Sequence, residues 1–299
     1  MIIDIHSHLA YYHIYPDRFL LDMFVGMNDN EKEKLKKILP LFLKDKDGSF
    51  FLQQMDEAQI EKTVLLIIDA GMGLNEATLS IDEIYDLHYS ILKKNPDRFV
   101  VFGGIDPRRG QHGLELFTKG VFDYGFKGLK LYPPLGYAMD DERLFPFYEI
   151  CNKNSLPVLL HTGPSLLYLK NEFADPLSIA EIAKKYPNIN FILAHAGHNL
   201  TPRLHKLVVN TKNIYVDIAA FQSKYFNINY EDFSSPIMQI FKGELNKKVL
   251  FGTDWPLFNL LHPVTKGIEK LKFIAENTDN ISKNAIENIF YKNALNILK

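Results

Sequence analysis

The chain has 299 residues, 46% of them hydrophobic, with 34 Lys and Arg against 36 Asp and Glu and a net charge of -2. The two signs are interspersed, so there is no electrostatic case for nucleic acid or an anionic membrane as a partner. The single cysteine, Cys151, excludes an internal disulfide framework and fits a reducing compartment; it falls in a predicted helix and is read as packing. The opening Met-Ile-Ile-Asp lacks a signal-peptide pattern, and no apolar run reaches the roughly 18 residues of a membrane span, so a soluble cytoplasmic protein is expected.

In chain order, short aliphatic runs at 2–6, 63–69, 99–105, 128–132, 157–161, 190–195, 214–218 and 248–254 read as strands. Amphipathic stretches at 81–93, 114–124, 144–154, 177–186, 201–210, 235–244, 264–276 and 282–298 read as helices between and after them. Eight apolar strands alternating with helices predict a parallel sheet closed into a (β/α)8 TIM barrel, one domain over 1–299. Residues 9–50 are too long for an ordinary strand-to-helix loop. They hold Tyr11, Tyr12, Tyr15, Phe19 and Phe24, then a Lys/Glu-rich helical piece over 30–43, before a helix near 51–60. Because this insertion follows the C-terminal end of a strand, it is expected to cap the barrel mouth.

The chemistry-bearing residues sit where the aliphatic runs end. Along an extended strand, His6 and His8 share a face, and two neutral imidazoles side by side can grip one divalent ion. Lys130 lies in the fourth run, His161 and His195 end the fifth and sixth, and Asp254 ends the eighth. In a (β/α)8 barrel those ends converge on one mouth. Asp4 shares the His6 face and is expected to brace the site from below. Tyr132 and Trp255 are candidates for the pocket wall, Asp69 and Asp106 for helix capping. Arg108, Arg109 and Arg203 are candidates to hold a substrate carboxylate.

At these residues, from His6 to Asp254, the chain resembles the amidohydrolase superfamily, in particular its branch of small metal-dependent hydrolases and decarboxylases. The resemblance implies a divalent metal, zinc being the expected ion, on His6, His8, His161 and Asp254. Asp254 would accept the proton of an activated water, and His195 would be catalytic or a further ligand. Lys130-Leu-Tyr-Pro resembles the carboxylated lysine of two-metal relatives, which would add Lys130 and His195 as ligands of a second ion; single-metal decarboxylases keep a plain lysine. Both counts stay open here. The first expectation is hydrolysis of a small amide, lactone or related carbonyl compound. The alternative is non-oxidative decarboxylation of a small aromatic or enol acid, and a degenerate barrel that only binds is the non-enzymatic reading. Each implies a small-molecule substrate, and the composition is compatible with a homo-oligomer.

Overall fold

The computed structural model describes residues 1–24, 26–221, 236–260, 263–278 and 281–299. Its eight strands are β1 (Ile3–Ser7), β2 (Lys62–Leu66), β3 (Phe99–Gly104), β4 (Leu129–Leu131), β5 (Val158–Leu160), β6 (Phe191–Leu193), β7 (Ile214–Asp217) and β8 (Val249–Leu250). They lie in sequence order in one sheet, each neighbouring pair parallel. The ring closes where the Ile5 amide donates to the Phe251 carbonyl (2.9 Å) and the His8 amide to the Trp255 carbonyl (2.8 Å). This is the predicted (β/α)8 barrel.

Both faces of the strands are buried, which is why they read as unbroken aliphatic runs rather than alternating ones. One cluster, including Ile5, Val64, Leu66, Phe102, Leu159 and Ile192, fills the barrel. The other, including Leu65, Val101, Leu129, Val158, Val216 and Val249, packs outward beneath the helices. Gly104 ends β3 because nothing larger fits: a Cβ there would lie 1.8 Å from the Ile67 carbonyl oxygen.

The helices follow the predicted pattern with shifted ends. Helix Ile81–Lys94 starts on a Ser80–Glu83 capping box and ends on Lys93 and Lys94, both favourable to its dipole. The stretch expected as one helix over 282–298 is broken into Lys283–Glu287, a π turn at Asn288–Lys292, and Asn293–Ile297. Asn288 and Asn293 cause the departure, since both side chains are drawn inward to Asn246, and Asn293 also bonds the Val249 carbonyl. Residue 235, where another helix is expected to start, lies outside the described residues; the described part is helical over Pro236–Gln239. No helix among the described residues is long and apolar enough to cross a membrane.

Between β1 and the first barrel helix, Ser49–Glu57, lie a short helix Asp17–Leu21 and a longer one, Asp29–Phe42. The longer one begins on an Asn28–Glu31 capping box and is tied to the shorter by Lys32–Asp22 and Lys36–Asp17 pairs, each 2.5 Å. Both ends of the segment meet, the Tyr12 amide donating to Leu43 (2.8 Å) and the Asp45 amide to Ala10 (2.9 Å).

Candidate functional site

The strands stop short of the residues that matter. β8 covers only Val249–Leu250 of the run expected over 248–254, because the chain then turns back on β1. The Thr253 and Asp254 amides both donate to the His6 carbonyl, at 3.2 and 2.8 Å. Asp254 and His195 both take left-handed backbone conformations (φ 53° and 58°), uncommon for residues other than glycine. Leaving the ladder this way turns each side chain toward the barrel axis.

His6 and His8 do share a face, although the β1 register shifts between Asp4 and Ser7. Their Nε2 atoms lie 3.6 and 3.5 Å from Asp254 Oδ1. Each ring is oriented through its other nitrogen: His6 Nδ1 is 2.9 Å from Asp217 Oδ2, and His8 Nδ1 is 2.9 Å from the Leu66 carbonyl. Donor atoms of His6, His8 and Asp254 all fall within 4.8 Å of one another, spacing that could enclose a metal ion; His6, His195 and Asp217 form a second such group.

His195 Nε2 meets His161 Nδ1 at 3.3 Å, and His195 Nδ1 lies 3.2 Å from the Ala219 carbonyl. The Tyr132 ring stacks on His161 at 4.1 Å. His161 Nε2 and Lys130 Nζ are both buried with no hydrogen-bond partner among the described residues. The lysine is 2% exposed, and its ammonium lies 5.8 Å from the Tyr132 ring centroid.

Burial governs the charges. It pushes His6 and His161 well below the ordinary imidazole range, so both are neutral, the form that binds metals. It pulls Lys130 down to about 8, which leaves the ammonium mostly protonated at neutral pH. Burial alone would raise Asp254, but the surrounding His6, His8 and His195 outweigh it and hold the group as a carboxylate.

Asp217 is the residue that sequence reasoning missed. It also accepts the His195 and Ala219 amides, at 2.8 and 3.1 Å, so one carboxylate fixes two histidines. Its only signal was its place at the end of the seventh run. Asp4, expected beneath the histidines, instead accepts the His6 and Thr253 amides (3.0 Å each) and the Thr253 hydroxyl (2.6 Å). It touches no imidazole and braces the β1–β8 seam, with its carboxyl raised to about 7 by burial.

The predicted carboxylate-binding arginines are not brought to the site. Arg108 is held by Asp106 (2.6 Å), and Arg109 by Asp69 (2.6 Å) and Glu76. Arg203 is exposed on the helix Pro202–Asn210. Asp69 and Asp106 anchor arginines more than they cap helices, although Asp106 does accept the Arg108 amide. Cys151 is buried in packing, as expected.

A cavity of about 810 Å³ opens above the ring of polar groups. His6, His8, Lys130, His161, His195 and Asp254 all line it, as do Tyr132 and Trp255. Much of the remaining wall comes from residues 9–50, including Tyr15, Phe19, Leu39 and Phe42.

Comparison with known proteins agrees with this picture. The chain is 23% identical to gamma-resorcylate decarboxylase of Rhodococcus jostii over 259 residues, 71% of this chain and 78% of that one. It is 22% identical to 2-amino-3-carboxymuconate-6-semialdehyde decarboxylase of Dictyostelium discoideum over 302 residues, 84% of this chain and 80% of that one. Among solved structures, 5-carboxyvanillate decarboxylase of Novosphingobium aromaticivorans, crystallised with manganese and 4-hydroxy-3-methoxy-5-nitrobenzoic acid, shares the fold with a TM-score of 0.69. That match covers 100% of this chain and 96% of the other at 17% identity. The amidohydrolase family profile matches residues 3–299, and the chain belongs to that family.

Proposed function

We propose that the protein is a metal-dependent, non-oxidative decarboxylase of an aromatic or enol carboxylic acid. The observation that carries this reading is Lys130: a buried amine with no hydrogen-bond partner among the described residues, lining the cavity beside the histidine–aspartate ring, its pKa lowered by burial only to about 8. An unpaired buried cation is costly, and an anionic substrate is the partner that would offset the cost. Hydrolysis of a small amide, lactone or related carbonyl compound, the first expectation, does not by itself bring an anion to pair with such a cation in the ground state. The two relatives named above, both decarboxylases, support the alternative.

His6, His8 and Asp254 are the proposed metal ligands, with His161 as the fourth through its unpartnered Nε2. Neutral imidazoles with one carboxylate suit zinc or manganese; zinc was the first expectation, and manganese accompanies the Novosphingobium enzyme. When bound, the ion would supply Lewis acidity toward the substrate's oxygens. We read the site as holding one ion, with Lys130 as an amine rather than a carbamate.

Lys130 holds the substrate carboxylate. The ionised Asp254 accepts the proton of a neighbouring substrate hydroxyl, then delivers it to the carbon that bears the carboxylate. The carbon–carbon bond breaks, its electron pair returns to the ring or enolate, and CO2 leaves. The apolar walls favour the step, because charge is being dispersed from a carboxylate into a larger system. His195, held by Asp217 and Ala219, keeps His161 in place. Residues 9–50 act as the cap that excludes water.

The test is a substrate panel. Purified protein supplied with manganese or zinc should release CO2 from hydroxybenzoic or enol acids and leave lactones and amides intact. Chelator-sensitive hydrolysis of a neutral lactone or amide, with every acid inert, would overturn the proposal.

A further inference from the structure

The cavity is far larger than a single aromatic ring requires. A protein cavity of about 150 Å³ is enough to hold benzene, whereas this one measures about 810 Å³. Beside the polar floor, its lining includes an apolar wall contributed by Phe19, Leu20, Met23, Phe24, Leu39 and Phe42. That wall continues to the surface. Leu41 and Phe42 line the cavity yet are 67% and 65% exposed, so their apolar faces meet water where a ligand could cover them. No arginine is among the described lining residues, since Arg108 and Arg109 are bound to Asp106 and Asp69. Lys44, beside Phe42 and Leu43, is the lysine of this wall among the described lining residues, and it is exposed.

We infer that the substrate is an acid with an extended apolar substituent, its carboxylate at Lys130 and its tail along the wall formed by residues 9–50. The carboxylate end rests on the decarboxylase reading above; the tail rests on the wall alone.

Trp255 is the single tryptophan of the chain and lines the cavity, so its fluorescence reports occupancy. The manganese-supplied full-length protein is titrated with resorcinol and with 4-ethyl-, 4-butyl- and 4-hexylresorcinol, which have no carboxylate to lose. Each methylene buried should tighten Kd about fourfold until the wall is covered. Phe42→Ser, at an exposed position that the fold does not depend on, should weaken the hexyl compound about fivefold or more and leave resorcinol unchanged. A Kd that does not fall along the series overturns the inference. The corresponding 3-alkyl-2,6-dihydroxybenzoates separate it from the reaction assignment. Graded binding with no CO2 release from any acid sinks the decarboxylase reading and leaves the apolar subsite standing. Turnover with neither Kd nor KM falling with chain length does the reverse.

Discussion

Replacing Lys130 by methionine should make the protein more stable and less active, and the size of both effects follows from its burial. The lysine is 2% exposed, its amine has no hydrogen-bond partner among the described residues, and its pKa falls from 10.5 to about 8 in the fold. At ~1.4 kcal/mol per pH unit, that difference means the folded state disfavours the charged lysine by about 3 kcal/mol at neutral pH. The folded pKa lies below the unfolded one, so the penalty is complete below pH 8, shrinks as pH rises, and is gone above 10.5. Methionine has similar length and no charge, and removes the penalty. Metal-free Lys130→Met should therefore resist urea better than wild type at pH 7, by up to about 3 kcal/mol, and the gap should close toward pH 10. The same change deletes a charge-assisted contact to the substrate carboxylate worth about 1.5–3 kcal/mol, so kcat/KM for an acid should fall about 10- to 100-fold. A variant less stable than wild type would mean that the amine has a structural partner after all. A more stable variant with unchanged kcat/KM would remove Lys130 from substrate binding.

Other perturbations probe separate parts of the account. Asp217→Asn should lower metal affinity about 10- to 100-fold through loss of the His6 anchor, read by chelator competition; unaltered affinity would show that His6 needs no such support. His88 is fully buried, and burial lowers it from 6.5 to about 4, so the unfolded chain takes up its proton first as pH falls. Stability should drop by about 3 kcal/mol between pH 6.5 and 4 on this account, and His88→Leu should flatten that slope in urea melts. Lys130→Ala should leave metal content at one ion per chain under excess zinc and bicarbonate; a fall from two ions toward one, restored by small carboxylic acids, would establish the carbamate form instead.

Much of the site was legible because barrel topology puts strand ends together. His6, His8, His161, His195 and Asp254 each terminate an aliphatic run, and the fold carries all five to one cavity. Asp217 also ends a run, but Ile-Tyr-Val-Asp-Ile contains nothing to separate a histidine anchor from an ordinary strand aspartate. The arginines were misassigned because Arg109 finds its partner in Asp69, forty residues away in sequence, and such pairings leave no local trace. Strand ends were drawn too long because apolarity persists where the ladder has already stopped. The left-handed turns at His195 and Asp254 are set by hydrogen bonds to other strands, which no periodicity reports. The size of the cavity was equally hidden, since it depends on how residues 9–50 fold back over the mouth.

The most direct test of the central claim follows the carbon–carbon bond itself. Manganese-supplied protein is incubated in D2O with a hydroxybenzoic acid labelled at its carboxyl carbon, and both products are followed by NMR. The account predicts labelled CO2 and one deuterium on the carbon that bore the carboxylate, both abolished by chelator and by the His6→Ala/His8→Ala double variant. Metal-replete, folded protein that releases no label from any hydroxybenzoic or enol acid would contradict it.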